Sequence, residues 1–464
     1  MKFFNLFFSP VKKEQVQNML LVLFLTSSTL GTRFLLYTFT PGFHEYESAF
    51  VYVSDLLLFL FLGRLWFSKK NIFPAVRKPV LVFFGFIVLF SIVSIFFAPS
   101  WLLALYVLVR LVLYMLFAIG IPALGKERGC VAYILAMIAV LAVIQAGIGI
   151  GQFAAQGNLG LSIFGESPIS SFDPETSKSI IGDARIVRSY GTFPHPNVLG
   201  GFLVLGLGAL YYLWFKVRLP VLYFARKGYA HAFKIYSPVI IKNIILSSFI
   251  FIVLTGIVLT FSRVSWVLAI FVSSVMFVYG LIVGGYRRHA LKLFVVVVFS
   301  CWLLVVSLSP FIFPRARVSF TEPSVTSRIS YLDIGKNIIQ EHPFGVGLGN
   351  QVWYAVENNI YREAGFTIPQ EWQPIHNVYV LMTSEIGIGG ALSFIVFLIT
   401  LLVGLLRVSS LESQVLATML MSLLLFGLFD HFLWTLPQGQ FMLWLVIGLT
   451  LLVSSTAREA PSDI

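Results

Sequence analysis

Residues 376–404 read HNVYVLMTSEIGIGGALSFIVFLITLLVG, and they follow a polar stretch, Pro314 to Pro374, at a junction that reads PIHNVY (374–379). A run this long with a single acidic side chain, Glu385, exceeds the ~20 residues needed to cross a bilayer as a helix. It also lacks the alternating period of a transmembrane barrel strand. Similar runs fill most of the chain. Hydrophobic residues make up 58%, charged residues 11%, and mean hydropathy is +0.90, far from what a soluble surface tolerates. Twelve spans are expected, near 17–39, 48–67, 79–97, 101–121, 130–151, 197–215, 243–261, 264–284, 291–312, 376–404, 412–430 and 438–456. The first run is too long for a signal-peptide core and has no convincing cleavage site, so it reads as a retained span. The fold class is thus an all-α integral membrane protein, one polytopic domain over 1–464. Residues 314–375 form a loop subdomain between spans nine and ten.

Lys and Arg divide unevenly between alternate connections, and that bias sets orientation. One set, from Lys2, Lys12 and Lys13 through Arg64, Lys69, Lys70, Arg77 and Lys78 to Arg407 and Arg458, holds 21 of the 32 basic residues. The opposite set holds nine, with thirteen of the twenty acidic residues. Both termini are therefore expected on the cytoplasmic side and the 314–374 stretch outside. This topology accounts for most of the net charge of +12, so no nucleic-acid partner is implied. The basic, aromatic connection 216–242 suits anionic headgroups of membrane lipids. Cys130 and Cys301 fall in or at the edge of apolar runs and make neither a disulfide framework nor a metal knuckle. No HExxH, Cys/His quartet or multi-carboxylate set is present, so no metal or cofactor is expected.

Four ionisable residues fall inside the expected spans, where an unpaired charge is costly. Arg33 and Asp55 share one level, and Arg110 and Glu385 a deeper one. Structural pairs at each level are one reading, and a headgroup or acceptor cavity the other. In the second long outer segment, SVTSRISYLDIGKNIIQEHP (324–343) reads as an amphipathic helix on the membrane face. Ser327 would cap it, Ile329, Leu332 and Ile339 would line its apolar side, and Pro343 would stop it. The glycines of HPFGVGLGN (342–350) follow no strand and precede no GK[ST]. They read as a turn that brings backbone close to a ligand or to the membrane helices.

The sharper chemistry gathers at the outer ends of the spans. FSRVSW puts Arg263 in a tight turn between spans seven and eight, and SRISY puts Arg328 at the start of the surface helix. A guanidinium stays charged and forks onto phosphate oxygens, so both suit a phosphate-bearing lipid, with headgroup anchoring as the alternative. Arg315 and Arg317 read as anchors. His376 is largely neutral at pH 7 and could take a proton from a hydroxyl, or could serve with Asn377 as a helix cap. YGTFPHPNVLGGFL (190–203) carries His195 and Asn197, and FDHFLWTLPQGQ (429–440) carries Asp430, His431 and Trp434. These read as an interfacial belt or as glycan and acceptor contacts made by stacking and hydrogen bonding.

Together GTFPHPNVLGGFL, FSRVSW, SRISYLDIGKNIIQEHPFGVGLGN, IHNVYVLMTSEIGIGG and DHFLWTLPQGQ resemble the O-antigen ligase and O-antigen polymerase superfamily. The resemblance covers the span count, the loop between spans nine and ten, and most of the chain from Tyr190 onward. It implies a metal-independent bacterial glycosyltransferase of the inner membrane, working on the periplasmic face with an undecaprenyl-pyrophosphate-linked glycan as donor. By the same resemblance Arg263 and Arg328 would bind the donor pyrophosphate and His376 would be the catalytic base. Family members often carry a second His two residues before the catalytic one. Pro374 stands there in this chain, so a role shared between two such histidines is left open. A ligase acting on a lipid or glycan acceptor, lipid A core among the candidates, leads. A polymerase or a protein O-oligosaccharyltransferase also fits. A lipid-linked glycan transporter or flippase is the alternative of another class. It should keep its polar residues near the midplane in broken helices, whereas here they collect at one boundary.

Overall fold

The computed structural model describes residues 15–40, 44–67, 78–124, 129–173, 176–182, 184–217, 228–317, 319 and 322–459, with backbone alone at 15, 228–238 and 456–459. Much of the basic set used for orientation lies outside the described residues: Lys2, Lys12, Lys13, Lys69, Lys70, Arg77, Lys126, Arg128, Arg218, Arg226 and Lys227. The chain is about three-quarters helical, with two short hairpins. It begins with α1 (Gln15–Ser27), β1 (Arg33–Thr38), β2 (Ser48–Tyr52) and α2 (Val53–Phe67). Then come α3 (Lys78–Ile95), α4 (Trp101–Leu124), α5 (Cys130–Ala155), β3 (Lys178–Ile181), β4 (Ala184–Val187) and α6 (Pro196–Lys216). α7 (Gly228–Leu259), α8 (Arg263–Ile282) and α9 (Arg287–Ala316) lead into the polar stretch with α10 (Pro323–Glu341), α11 (Gln351–Glu357) and α12 (Ile360–Glu363). The chain closes with α13 (Val378–Leu406), α14 (Leu411–Phe426), α15 (Phe432–Thr435) and α16 (Pro437–Glu459).

A helix occupies each of the twelve expected apolar segments, but among the described residues only nine are long and apolar enough to cross a membrane. The other three, α1, α2 and α14, have 13, 15 and 16 residues. At ~1.5 Å per residue α14 reaches roughly 24 Å, short of the ~30 Å hydrocarbon layer, whereas α1 and α2 each border residues outside the described ones, so 13 and 15 count their described parts alone. The expected span 17–39 ends early because Ser27 and Ser28 both turn their hydroxyls onto the Phe24 carbonyl, a local bond that competes with helix propagation. The chain then folds back as the antiparallel β1–β2 hairpin.

That hairpin corrects the pairing expected of the buried charges. Arg33 sits on β1 rather than in a span and pairs with Glu45. Asp55 pairs instead with Arg110, at 2.8 Å. Glu385, left without a guanidinium, accepts the Trp434 indole N–H at 2.7 Å, with the amides of Gly349 and Gln351 facing it.

The bundle is organised around α6, which is buried along nearly its whole length against α5, α7, α8 and α14. Small residues allow this. A Cβ at Gly206 would lie 2.1 Å from the Ala142 Cβ of α5, so the two backbones meet at a distance no larger residue permits. α9 is the converse: Val295, Phe299, Trp302 and Val306 are exposed, an apolar surface suited to lipid.

α13 is broken at Gly387, whose φ of 76° and ψ of 171° interrupt the helix. The glycine turn 343–349 docks into the break. Val346 N–H donates to Ser384 O at 2.9 Å, Gly347 N–H to Glu385 O at 3.1 Å, and Ile388 N–H to Pro343 O at 3.0 Å. Of the two expectations for this turn, the described partners are the membrane helix.

α10 starts four residues before the expected cap. Glu322 holds the cap position, Pro323 opens the first turn, and Ser327 lies one turn inside, donating to Pro323 O at 2.7 Å. Its buried stripe is Tyr331, Ile334 and Ile338, not Ile329, which is exposed. The reason is a second small core under the loop, where these residues meet Val346, Val352, Ala355, Tyr361 and Phe366. The helix faces that core rather than lying free.

Candidate active site

Five segments converge at one end of the bundle: the approach to α6, the α7–α8 turn, the start of α10, residues 374–377 before α13, and the corner 429–435 between α14 and α15. His376 is held by its own backbone. Its Nδ1 lies 2.9 Å from Pro374 O, and because a carbonyl only accepts, Nδ1 carries the proton and Nε2 keeps a free lone pair. The Tyr331 ring stacks on the imidazole at 5.2 Å and 10°, and the His431 ring meets it edge-on at 4.8 Å and 84°. His431 is fixed likewise. Its Nδ1 sits 2.8 Å from Thr435 Oγ1, whose hydroxyl donates to His431 O at 3.3 Å.

Burial holds the His376 imidazole well below its ordinary 6.5, with His431 and Arg328 pushing the same way and Asp430 opposing. The base form therefore dominates throughout the neutral range. Burial, then Arg188, depress His195 to about 3. For Asp430 burial acts upward, but His431, His376, His195 and Arg328 outweigh it, and the carboxyl stays below its usual 3.8. Neutral imidazoles carry no charge, so near pH 7 that work falls to Arg328 and to three hydrogen bonds. These come from Asn197 Nδ2 at 2.7 Å, the His431 N–H at 2.8 Å and the Phe432 N–H at 3.3 Å.

The cations form two groups. Arg188, only 7% exposed, donates to Thr260 O at 2.7 Å, Ser177 Oγ at 2.8 Å and Asn197 Oδ1 at 2.9 Å. Through Asn197 it thus orients Asp430. Arg263 and Arg315 share Glu322: Arg263 Nη2 meets Oε2 at 2.5 Å and Arg315 Nη1 meets Oε1 at 2.9 Å. Arg263 Nε also donates to Arg315 O at 2.8 Å. Arg328 stands between the groups, in electrostatic range of Arg188, Arg315, His376 and Asp430. Its Nε is buried and finds no hydrogen-bond partner among the described residues.

Of the residues singled out by sequence, His376, Arg328, Asp430 and His431 come together, and Arg263 joins them through Arg315. Others carry structural bonds. His195 Nδ1 accepts the Asn197 N–H at 3.2 Å and caps α6. Asn377 Oδ1 caps α13, accepting from Tyr379 N and Val380 N, and its Nδ2 donates to Leu428 O at 3.2 Å. Trp434 is turned onto Glu385. Sequence reasoning passed over Arg188, Glu322 and Tyr331, and left Arg315 as an anchor. Arg188 stands in a segment without periodicity, and the only hint at Glu322 was a carboxylate between two arginine-bearing motifs. Among the described residues no group of three or more His, Cys, Asp or Glu side chains is placed to hold a metal ion.

Fold and site define a polytopic helical membrane protein with a cationic cluster beside neutral imidazoles. Residues 248–395 match the family model described as O-antigen ligase, a match that supports the O-antigen ligase superfamily and, with the apolar helices, a bacterial membrane enzyme of glycosyltransferase type. The matched segment carries Arg263, Arg315, Glu322, Arg328 and His376. No curated protein matches the chain.

Proposed function

We propose that this protein transfers a polyprenyl-pyrophosphate-linked glycan to a cell-envelope acceptor on the outer face of the bacterial inner membrane, both termini being cytoplasmic. The carrying observation is the pairing of a neutral imidazole with a guanidinium that is left one bond short. Among the described residues His376 Nε2 has no hydrogen-bond partner, and neither does the buried Nε of Arg328, which lies within electrostatic range. In this reading His376 removes the proton from the acceptor hydroxyl as its oxygen attacks the anomeric carbon. The glycosyl bond to pyrophosphate breaks, and Arg263 and Arg328 meet the growing charge on the leaving group without a metal. Asp430, held through Asn197 by Arg188, stabilises the imidazolium that forms.

The break in α13 is a feature that a transporter would share, since unwound carbonyls commonly coordinate ions. Here the freed carbonyls of Ser384 and Glu385 already accept amides from the glycine turn, which favours the transferase. The test is transfer from an undecaprenyl-pyrophosphate-linked glycan by purified protein in nanodiscs. His376→Ala should lower the rate by roughly 10²–10⁴-fold, the usual worth of a general base, while donor binding persists. Unaltered transfer by a folded His376→Ala protein removes the proposed base. A product ladder left on the carrier would mark a polymerase, and a single transfer to a new carrier a ligase.

A further inference from the structure

α10 carries Arg328 and Tyr331 three residues apart, which makes them neighbours on one face of the helix. Arg328 enters the transfer chemistry described above. Tyr331 does not, although its ring lies flat against the base. That close approach is set one turn further along by Gly335, where a Cβ would lie 2.6 Å from Val380 Cγ1 and 2.8 Å from Ile375 Cδ1. A larger residue there would push α10 away from the segment that carries His376.

The imidazole needs something to hold its plane. Among the described residues its hydrogen bond is that of Nδ1 to Pro374 O at 2.9 Å, which fixes one atom of the ring. The torsion that turns the ring is an sp³–sp² bond with a broad, two-fold well, so it does not supply the plane by itself. Tyr331 is better fixed. Its ring stacks on Phe366 at 4.6 Å and 13°, and Tyr361 meets it edge-on at 6.3 Å and 79°. Its hydroxyl donates to Glu371 O at 2.7 Å, and the next residue, Trp372, donates its indole N–H to Phe366 O at 3.3 Å. With His376 at 5.2 Å and 10°, the rings of Phe366, Tyr331 and His376 form one near-parallel column. Offset stacks of this spacing are favourable, and turning the imidazole out of the column would break one. A cation at such a distance is also drawn to an aromatic face, so the same ring favours the imidazolium over the neutral base.

We propose that Tyr331 is a positioning residue for the base: its ring sets the plane in which His376 Nε2 presents its lone pair to the acceptor hydroxyl. The same ring faces the imidazolium once the proton has moved from that hydroxyl to Nε2. As the proton passes, the hydroxyl oxygen bonds to the anomeric carbon, and the pyrophosphate leaves with the electron pair of the broken bond. The proposal rests on the transferase reading above, and in it Tyr331 acts through His376 alone.

Two measurements on the full chain in nanodiscs test it. Solid-state nitrogen NMR on histidine-labelled protein, with His376 assigned from its loss in His376→Ala, reads the ring directly. The parent and Tyr331→Phe, which keeps the ring, should show one tautomer with the proton on Nδ1, and Tyr331→Leu a mixture of both. Steady-state transfer from an undecaprenyl-pyrophosphate-linked glycan is read with lipid A core and with the carrier-linked glycan itself as acceptors. Tyr331→Leu should lower kcat by roughly 10- to 100-fold, the scale a misplaced reacting group costs, with KM for the donor unchanged, and Tyr331→Phe should keep most of the rate. In a His376→Ala background Tyr331→Leu should cost nothing further, because both changes remove the same function. If Tyr331→Leu does not fold, Tyr331→Met refills the space with an unbranched chain that has no plane and should give the same signature. Should neither acceptor react, the tautomer decides alone. A folded Tyr331→Leu protein with a single tautomer or the parent's kcat, an equal loss in the His376→Ala background, or a loss confined to KM overturns the positioning role. Unaltered transfer by His376→Ala instead overturns the transferase reading.

Discussion

Glu322 occupies two of the arginines that a pyrophosphate would need, so the resting site carries its own competitor. Glu322→Gln keeps the shape and removes the charge. The carboxylate is about a quarter exposed, so each of its two ion-paired bonds is better valued at the ~0.5–1 kcal/mol of a solvent-screened pair than at a buried value. Together they oppose an incoming anion by about 1–2 kcal/mol, which converts to roughly 5- to 30-fold in affinity. Burial acts to raise the Glu322 pKa, but Arg263, Ser324 and Arg315 outweigh it and keep the group below its ordinary 4.5. Across pH 5–8 the competitor therefore stays charged, and only substitution removes it. Titration calorimetry with inorganic pyrophosphate should find Glu322→Gln binding that much tighter, with the gain shrinking at high salt as screening grows. Equal or weaker binding by a folded Glu322→Gln protein would show that the anion does not meet Arg263 and Arg315.

Three further outcomes follow from the same geometry. Because burial keeps His376 neutral, the transfer rate should be flat from pH 8 to below 6. Arg328→Gln, which removes a cation that depresses the imidazole, should move the acid limb to higher pH, and an acid limb near 6.5 in the parent would contradict the buried base. Folded-state pKa values lowered at His195 and His376 mean that the unfolded chain binds more protons below 6.5. Stability should thus fall with pH from 6.5 down, by about 1.4 kcal/mol per unit for each such imidazole, and His195→Asn, which keeps a capping oxygen, should reduce that slope in thermal unfolding scans. Trp434→Phe takes the indole donor from buried Glu385 and should cost about 1.5–3 kcal/mol, visible as an earlier unfolding transition without loss of donor affinity.

The apolar segments were legible because a bilayer imposes one simple demand, length of uninterrupted hydrophobicity, and all twelve segments carry helix. What hydropathy cannot reveal is where a run stops being helix: Leu35 and Leu36 look like membrane and lie instead on an exposed hairpin. Depth arguments failed for the same reason, since moving Arg33 onto β1 released Asp55 to Arg110. The catalytic candidates stood out as polar groups in apolar company. Of the two carboxylates beside them Asp430 was named and Glu322 was not: Glu322 joins Arg315, seven residues back, to Arg263, 59 residues back, and a chain read linearly gives no sign of the second contact. The Tyr331 stripe of α10 was misread because the core it packs on is assembled from the loop itself.

The two carboxylates also bear on what the site is built to bind. Glu322 neutralises one of the pair Arg263 and Arg315, and Asp430 does the same, through Asn197, for the pair Arg188 and Arg328. With the imidazoles neutral, the four guanidiniums of this cluster leave two positive charges uncompensated by its own acids. A pyrophosphate diester carries two negative charges, and a free phosphate monoester near pH 7 slightly fewer. Charge alone thus separates the two only weakly, and discrimination must come from spacing. Arg263 and Arg315 lie at one carboxylate and Arg328 near the other, so a ligand with two linked phosphoryl groups can engage both sets at once while a lone phosphate must choose. Replacing either carboxylate by its amide should then tighten pyrophosphate and orthophosphate binding unequally, and a uniform effect on both anions would mean that only one set of arginines is in contact.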